Sequence, residues 1–580
     1  ARAPAESPRP AARTDHLPCA GASRPADMSG AATEGAGRAP GKAAGAEAEV
    51  FEKPQAWAPT GNRWRDLLYF VGPGWMVCIA YVDPGNYQAN INAGATVGYR
   101  LLWTIWWMSV LSMYCQILCV RLAMYAQVTL SEAQAMNFPR WLRYLNWFIA
   151  EFSAVITDIP EVIGIGIALN VFWGWPYVAG VLLSLLTTLG FLALQRFGMQ
   201  PLEAVIFVLV GVMGITTWVE SALIGYDTSK YLSGWIYGFA DTTPDDLWAI
   251  IGIIGAVVMP HNLYLHSASC RTRTVQRRPD VVRKAVTFMS WEPALPIFIT
   301  FFISAATVVV AAQRIQGRPG ADDAGLTDFY DYVTSVPGSR WLWGLSLLAA
   351  GQSSAITTTY AGQYVMDGFL KIRLPMWKRA LLTRLVAIAP CVAVAVAMNG
   401  PALNQAVNIV NGSLAWLLPF ALTPLVKFTT SRRFMGEYAA GPVETVCAWG
   451  LAFAVYAVNA VCLSCPGGGF FGDLLFGSGA TVQMGPAWVV LCVVMVALQV
   501  FSLAWNAYIA LMPIRSEMPP METQRELETE FTVARAKMVA GNQEPPAEGG
   551  EYNKLRGAGV GKLTRRTFLL QKIPVPWSPS

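Results

Sequence analysis

The sequence predicts a polytopic α-helical membrane protein, and three observations support this fold class. Of the 580 residues, 54% are hydrophobic and only 14% are charged, whereas a soluble globular protein carries about 25% charged residues. Uninterrupted apolar runs at 101–120, 178–194, 205–224 and 489–512 each approach the ~20 residues that a helix needs to cross hydrocarbon. The connections between apolar runs are short and alternate in charge, as expected for a chain that crosses a bilayer repeatedly.

Apolar runs and loop composition together predict about twelve membrane spans. The predicted spans are 67–93, 101–120, 147–171, 177–195, 202–224, 247–269, 287–311, 341–369, 380–398, 403–426, 443–463 and 487–512. Basic residues concentrate in the even-numbered linkers, and the linker after the eighth span carries Lys371, Arg373, Lys378 and Arg379. By the positive-inside rule, these linkers and both termini are expected to be cytoplasmic.

The composition also predicts how the chain is divided. Residues 1–60 are expected to form a disordered cytoplasmic tail, because most of them are Ala, Gly, Pro, Arg or Glu and few are large and apolar. The chain begins at Ala1 without an initiator methionine, and Met28 is an alternative start. Residues 65–515 are predicted to form the transmembrane domain, and the polar residues 516–580 a cytoplasmic C-terminal tail.

The ten cysteines do not form the pattern of a secreted disulfide framework. Most lie inside apolar runs and are interpreted as small buried hydrophobes, among them Cys78, Cys115, Cys119, Cys391 and Cys492. Cys462 and Cys465 form a CxxC at a helix end, for which a structural or disulfide role and a metal or redox role both stay open.

The first span contains a helix-breaking sequence at its centre, Asp83-Pro84-Gly85-Asn86. Proline removes a backbone hydrogen bond and glycine adds flexibility, so the helix is expected to unwind here. Unwound backbone at membrane depth is tolerated only where it is buried in protein or lines a cavity. Because an intramembrane carboxylate is costly and marks a functional site, we expect Asp83 to lie at such a site.

The sixth span repeats this pattern, with Pro260 in mid-span beside His261. Spans one and six are five apart, so they cross the membrane in opposite directions. Interrupted segments at matching positions of two inverted halves point to the central site of a transporter. We therefore predict inverted five-helix repeats at about 65–224 and 246–427, with two extra helices at about 443–512. The alternative is a pair of ordinary proline kinks.

The groups near the two breaks suit a divalent transition-metal ion. Asp83 offers an anionic oxygen, Asn86 offers an amide oxygen, and the breaks free backbone carbonyls near Ala80 and Ala256. Met259 adds a thioether, which shifts the preference from Mg²⁺ and Ca²⁺ toward softer ions. The set fits Mn²⁺, Fe²⁺, Co²⁺ or Cd²⁺, although a methionine considered alone would be interpreted as a core residue.

Histidines on the sixth span indicate proton transfer. His261 and His266 are two of only three histidines in the chain, and a histidine inside a membrane can carry protons near neutral pH. The alternative for each is a hydrogen-bonded packing residue.

Carboxylates on the third span extend this hypothesis. Glu151, Asp158 and Glu161 follow one another at helical spacing, which places them on one face of the helix. A row of carboxylates in lipid predicts a proton path or a wet groove, whereas lone buried carboxylates are more often structural. Arg384, at the start of the ninth span, is a candidate countercharge.

At these residues the chain resembles the natural resistance-associated macrophage protein (NRAMP) family, proton-coupled metal transporters with a LeuT-type fold. The resemblance spans the predicted transmembrane domain and rests on an ordered set of motifs. They are Asp83-Pro-Gly-Asn86, Thr157-Asp-Ile-Pro-Glu-Val-Ile-Gly164, Met259-Pro-His-Asn-Leu-Tyr-Leu-His266, Gly351-Gln-Ser-Ser, Ala361-Gly-Gln-Tyr-Val-Met366, Thr383-Arg384 and Leu418-Pro-Phe-Ala-Leu422.

The resemblance implies a role for each matching residue. Asp83, Asn86 and Met259 match the metal-binding side chains of the family, and Ala80 and Ala256 match its carbonyl donors. The positions tied to proton transfer or coupling are matched by Asp83, His261, His266, Glu151, Asp158, Glu161 and Arg384.

Asn411 marks a departure from part of the family. Many bacterial members have glutamine at this position, whereas animal members also carry asparagine. The resemblance therefore implies that Asn411 is a further metal ligand with altered geometry, reached directly or through water, and that the site is retained.

The residues and the resemblance together imply proton-coupled transport of Mn²⁺, Fe²⁺ and related divalent ions such as Cd²⁺ and Co²⁺ into the cytosol. We expect an integral multi-pass protein of the plasma membrane or of an endosomal or vacuolar membrane. The sequence shows no phosphate loop, nucleophile with a base, or cofactor fingerprint, so neither enzyme activity nor a cofactor is expected. Metal ions, protons and lipid are the expected partners, without nucleic acid or an obligatory protein.

Two other functions are weighed against this one. A transporter of amino acids or other organic solutes would share the fold, but Asp83 would repel a substrate carboxylate and Met259 would have no role. A metal sensor that does not transport would signal through its tails, which here are short and show no folded domain.

Overall fold

A computed structural model of the protein describes residues 56–194, 246–333, 338–397, 400–464 and 486–517, with positions 208, 211, 214–215 and 217–243 between the first two ranges. These residues belong to one unit, Pro54–Ser580. Nearly all of both predicted tails, about half of the fifth predicted span and Cys465 of the CxxC lie outside the described residues.

The described residues are largely helical. In chain order the helices are α1 (Arg63–Phe70), α2 (Pro73–Cys78), α3 (Pro84–Val97), α4 (Leu102–Tyr125), α5 (Leu130–Asn137), α6 (Arg140–Trp173), α7 (Tyr177–Leu194), α8 (Thr228–Ile236), α9 (Leu247–Val257), α10 (Pro260–Arg271), α11 (Pro279–Trp291), α12 (Ala294–Arg314), α13 (Ser339–Leu370), α14 (Met376–Ala397), α15 (Gly400–Thr430), α16 (Arg432–Met435), α17 (Pro442–Ser464) and α18 (Pro486–Leu511). Within the described ranges, strand-like pairing is limited to an isolated bridge between Trp57 and Val275. The predicted all-α class is confirmed.

Each predicted span except the fifth coincides with a described helix or with a pair of half-helices. Among the described residues, seven helical segments are long and apolar enough to cross a membrane. Helix α13, the eighth predicted span, is more polar than these segments, yet most of its side chains are buried. Its polar residues therefore face neighbouring helices.

Two short interruptions that the sequence did not predict lie near the starts of the first and seventh predicted spans, and Glu292 contacts both. The first span was predicted from residue 67, but Gly72, with φ of 138°, separates α1 from α2. The seventh span was predicted from residue 287, but the chain is interrupted at Glu292, between α11 and α12. The Glu292 carboxylate accepts hydrogen bonds from the backbone N–H groups of Gly72 at 2.9 Å and Gly74 at 2.7 Å. It thereby satisfies backbone donors at the start of α2.

Both predicted helix breaks are present. Helix α2 passes into a 3₁₀ turn, after which Asp83 is extended, with φ of −77° and ψ of 167°, before Pro84 opens α3. Met259 is extended in the same way, with φ of −77° and ψ of 133°, before Pro260 opens α10. Each proline occupies the first position of a new half-helix, where its missing N–H costs nothing. The alternative of ordinary proline kinks within continuous helices is therefore wrong.

The half-helices lie among the longest helices of the structure. Helix α9 packs against α15 and α3, α10 packs against α4 and α13, and α3 packs against α12. Helix α6 runs along α13 and also contacts α14 and α15. This packing buries both breaks.

Candidate metal-binding site

The first break directs the carboxylate of Asp83 back onto the start of α3. Its Oδ1 accepts a hydrogen bond of 2.7 Å from the backbone N–H of Asn86, the usual role of an aspartate that caps a helix. Asp83 is fully buried, and its Oδ2 has no hydrogen-bond partner among the described residues. Because an unpaired buried carboxylate oxygen is costly, a cation or a proton is the expected partner.

Oxygen atoms from both breaks converge on one atom, the amide nitrogen of Asn86. This Nδ2 donates to the carbonyl oxygen of Ala80 at 3.1 Å and to that of Ala256 at 2.8 Å. It also donates to Oδ1 of Asp83 at 2.9 Å. The three oxygens therefore lie close enough together to surround one small cation. Turning the amide of Asn86 by half a rotation would present its own oxygen to the same point.

Met259 places a thioether side chain at the second break. Its side chain is buried and belongs to a small apolar cluster that includes Ala80, Ile156 and Leu414. Within the described part of the chain, no group of three His, Cys, Asp or Glu side chains is placed to hold a metal ion. Metal binding at the breaks would therefore depend on carbonyl, amide and thioether ligands in addition to Asp83.

Helix α15 approaches both breaks through Asn411. A side chain on Gly255 would clash with the backbone oxygen of Asn411, so the approach of α9 to α15 requires glycine. The Asn411 amide donates to the carbonyl oxygen of Gly85 at 2.9 Å, and its Oδ1 lacks a partner within the described ranges. A Cβ atom added at Gly85 would lie 3.0 Å from Oδ1 of Asn411 and 3.4 Å from Oδ2 of Asp83. Asn411 is thus beside the Asp83 carboxylate.

Glu161 and Arg384 form an ion pair between α6 and α14. The charged atoms are 3.0 Å apart, and neither side chain is more than 1% exposed. The other carboxylate oxygen of Glu161 accepts hydrogen bonds from the hydroxyls of Ser354 at 2.5 Å and Thr358 at 2.7 Å. Removing one partner of such a pair leaves an uncompensated buried charge. The two hydroxyls were not among the predicted site residues, although both stand inside a predicted span.

The structure corrects the assignment of Arg379. The sequence pattern places Arg379 in a cytoplasmic linker, but its side chain is only 3% exposed and forms an ion pair with Glu151. A Cβ atom added at Gly362 would overlap the guanidinium of Arg379. A glycine in the middle of α13 was the sequence signal that could have revealed this contact.

Asp158 lies between the two ion pairs on α6. Its backbone carbonyl oxygen is 3.5 Å from a guanidinium nitrogen of Arg384, and its Oδ1 has no partner in the part of the chain described. The preceding residue, Thr157, brings its hydroxyl to 3.4 Å from Nδ1 of His261. The second break thus contacts α6 next to Asp158.

His266 lies further along α10 than His261 and is also fully buried. Its Nε2 is 3.6 Å from Sγ of Cys270. The two predicted histidines therefore have different neighbours, a hydroxyl beside His261 and a thiol beside His266.

The loop at residues 321–333, here called the outer loop, is hydrogen-bonded to α3 and α15. The side-chain oxygen of Gln88 on α3 accepts a hydrogen bond of 3.0 Å from the backbone N–H of Leu326. Asn404 on α15 donates to the Thr327 hydroxyl at 2.9 Å and accepts from its N–H at 3.3 Å. These contacts hold the loop against the two helices on the side that the predicted topology makes extracellular. Neither Gln88 nor Asn404 was predicted, although each is a polar residue inside a predicted span.

Comparison with known proteins identifies the family. The model for natural resistance-associated macrophage protein-like (Nramp) proteins matches residues 74–464. The chain is 36% identical over 412 residues to Metal transporter Nramp2 of Populus trichocarpa, covering 68% of this chain and 75% of that relative. It is 34% identical over 403 residues to Divalent metal cation transporter MntH of Bradyrhizobium diazoefficiens, covering 69% and 90% of the two chains.

A solved structure supports the same family. The crystal structure of a variant of the Eremococcus coleocola manganese transporter matches with a TM-score of 0.68 and 27% identity, covering 78% of this chain and 96% of that one. These relatives are named as transporters, in agreement with the prediction that the chain is not an enzyme. The matched segment contains both helix breaks and the predicted LeuT-type arrangement around them. This integral, multi-pass membrane protein therefore belongs to the Nramp family of metal-ion transporters.

Proposed function

We propose that this protein carries divalent transition-metal ions into the cytosol by proton-coupled alternating access, with Mn²⁺ and Fe²⁺ as its main substrates and Cd²⁺ and Co²⁺ as further ones. The observation that supports this most is the convergence of the Asp83 carboxylate with the carbonyl oxygens of Ala80 and Ala256. The relatives named as a manganese transporter and as a divalent metal cation transporter point the same way.

The metal ion would bind between the two breaks. Its ligands would be Asp83, Asn86, Met259, the carbonyl oxygens of Ala80 and Ala256, and Asn411. A single carboxylate balances only half of the charge of a divalent ion. The other positive charge of the ion would stay uncompensated, so the ion would bind weakly enough to be released. Transport requires such release. The thioether would favour transition metals over Mg²⁺ and Ca²⁺.

Protons would move between Asp83 and the charged residues of α6 and α14. Asp83 would act both as metal ligand and as first proton acceptor, because a carboxylate must release its proton to bind a metal ion. The proposed path consists of His261, His266, Glu151, Asp158, Glu161 and Arg384. The ion pairs of Glu161 with Arg384 and of Glu151 with Arg379 would hold the fixed charges of this path in place.

Alternating access would occur by movement of the half-helices and their neighbours around the bound ion. A membrane potential that is negative inside favours inward movement of each positive charge by about 2.3 kcal/mol per 100 mV. We place residues 65–515 in the transporter domain and both termini in the cytoplasm. The protein would reside in the plasma membrane or in an endosomal or vacuolar membrane, and in each case it would deliver metal to the cytosol.

The test is Mn²⁺ uptake into proteoliposomes under an inward proton gradient. Wild type is expected to take up Mn²⁺, and Asp83→Ala is expected to abolish uptake. Met259→Ala is expected to retain uptake but to admit competition by Mg²⁺ or Ca²⁺. Met289→Ala is the matched control, because Met289 is a buried methionine of the main core on α11; it is expected to keep the selectivity of wild type.

Other outcomes separate the alternatives. Binding of Mn²⁺ without uptake would support a sensor in place of a transporter. Uptake of Mn²⁺ that is unaffected by Asp83→Ala would refute the proposed site, and absence of both binding and uptake would refute the proposed function.

A further inference from the structure

Helix α10 carries, beyond the second break, two buried side chains of the types that ligate soft metal ions. His266 and Cys270 are one helical turn apart, and both are fully buried. Residues four apart on a helix share a face, and here Nε2 of His266 lies 3.6 Å from Sγ of Cys270. The pair thus presents an imidazole nitrogen and a thiol to one point.

The separation of these two atoms fits ligands of a single ion. In tetrahedral zinc sites the metal–nitrogen distance is about 2.0–2.1 Å and the metal–sulfur distance about 2.3 Å, which places nitrogen and sulfur about 3.6 Å apart. The same separation suits a weak hydrogen bond from the thiol to the ring. The two arrangements are compatible, because a metal ion would take the place of the thiol proton.

A second thiol contacts the same helix from α4. Cys119 is fully buried, and its Sγ lies 3.4 Å from the carbonyl oxygen of Leu263, one turn before His266. Since no three His, Cys, Asp or Glu side chains are preassembled among the described residues, Cys119 stands outside bonding distance of the pair. Helix α4 would have to move relative to α10 to make Cys119 a third ligand.

The pair lies on the half-helix that starts at the second break. Helix α10 begins at Pro260, directly after Met259, and His266 is six residues, or about 9 Å, further along it. Cys270 lies one turn beyond His266 on the same face. This face runs from the break toward the end of α10 that the predicted topology makes cytoplasmic.

We propose that His266 and Cys270 form a second binding site for thiophilic divalent cations, of which Cd²⁺ is the suitable probe. On binding, the S–H bond of Cys270 breaks, a sulfur–cadmium bond forms, and the thiol proton is released to solvent. His266 binds through Nε2 in its neutral form, with the ring proton on Nδ1. Hard ions such as Mg²⁺ gain little from these ligands, so the site selects soft ions. The proposal does not depend on transport.

The experiment is a Cd²⁺ titration of the purified full chain, followed by the ultraviolet charge-transfer absorption of cadmium–thiolate bonds. The parent protein carries Asp83→Ala, to weaken the site at the breaks, and Cys447→Ser, because Cys447 is an exposed thiol. Cys270→Val is expected to remove one cadmium–thiolate equivalent or to weaken it by at least about tenfold, the lower limit for loss of even an outer-shell partner. Valine is apolar but about one methyl group larger than cysteine, so the thermal unfolding of this variant is compared with that of its parent.

Cys115→Ala is the matched control, because Cys115 is a buried thiol one turn before Cys119 on the same helix. It is expected to leave the titration unchanged, and His266→Ala is expected to weaken binding while leaving part of the absorption. Equal titrations for Cys270→Val and its parent would overturn the proposal, and so would equal losses in Cys270→Val and Cys115→Ala. The cadmium absorption is measured in a parent that lacks the Asp83 carboxylate. A negative result there is therefore distinct from a failure of Mn²⁺ uptake by the wild type.

Discussion

The amide nitrogen of Asn86 donates a hydrogen bond of 2.8 Å to the carbonyl oxygen of Ala256, 170 residues further along the chain. This contact joins the first helix break directly to the second. It exists because each break leaves carbonyl oxygens without their helical N–H partners. The same amide therefore holds together the oxygens that the proposed metal ion would bind.

Substitution of Asn86 tests this relationship. Asn86→Ala removes the donor shared by three buried oxygens, so we expect a loss of about 1–3 kcal/mol in the free energy of unfolding together with loss of Mn²⁺ binding. Thermal unfolding in detergent and equilibrium Mn²⁺ binding measure the two effects. Asn459→Ala is the control, because buried Asn459 donates to the carbonyl oxygen of Ala415 at 2.7 Å, outside the site. Asn459→Ala should lower the free energy of unfolding but preserve Mn²⁺ binding. Equal losses of Mn²⁺ binding in both variants would contradict the assignment of Asn86 to the metal site.

The buried pair of Glu161 and Arg384 gives a second prediction. Arg384→Met leaves the Glu161 carboxylate buried without its countercharge, and we expect destabilisation by about 3–5 kcal/mol. Adding Glu161→Gln should restore most of this stability, because the uncompensated charge is gone, while proton-coupled uptake stays impaired. Arg283→Met is the control, since its pair with Glu437 is 3.8 Å long and well exposed, and such pairs contribute about 0–1 kcal/mol. Full recovery of coupling in the double variant would argue against a role of this pair in proton transfer.

The contact of α9 with α15 gives a third prediction. Gly255→Ala places a methyl group against the backbone of Asn411, which cannot move aside as a flexible side chain can. We expect the helices to separate at the second break, with loss of Mn²⁺ uptake and a lower melting temperature. Gly252→Ala, three residues earlier on α9, is the control because nothing lies within 4 Å of the added methyl. It should leave uptake intact and stabilise the helix by up to about 1 kcal/mol; similar behaviour of the two variants would refute the argument.

The outer loop gives a fourth prediction. Asn404→Ala removes hydrogen bonds to Thr327, so the loop should open more often. If the substitution lowers the free energy of opening the loop by about 1–2 kcal/mol, amide exchange of the loop should accelerate by about 5–30-fold. Hydrogen-exchange mass spectrometry of peptides covering 321–333 measures this change, and peptides from 271–278 in the same sample serve as the control. Unchanged exchange at Leu326, whose N–H is bonded to Gln88, would show that Asn404 does not hold the loop.

Much of the architecture followed from local chemistry. The length and polarity of the apolar runs predicted the membrane class, and Asp83-Pro84 and Pro260 fixed the positions of both breaks. A proline limits the backbone of its own and the preceding residue wherever it occurs. The interruption at Gly72 was not predicted, because its N–H is bonded to Glu292, a residue remote in sequence.

The sequence by itself determined that this protein is a helical membrane bundle and where its helices unwind, because composition and backbone restriction act within a few residues. Only the tertiary structure decided that Arg379 pairs with Glu151, that Gln88 meets the outer loop, and that Cys119 reaches the helix that carries Cys270. Those contacts depend on the direction in which each side chain leaves its helix and on which helices pack together. Neither quantity is contained in the spacing of residues along one segment.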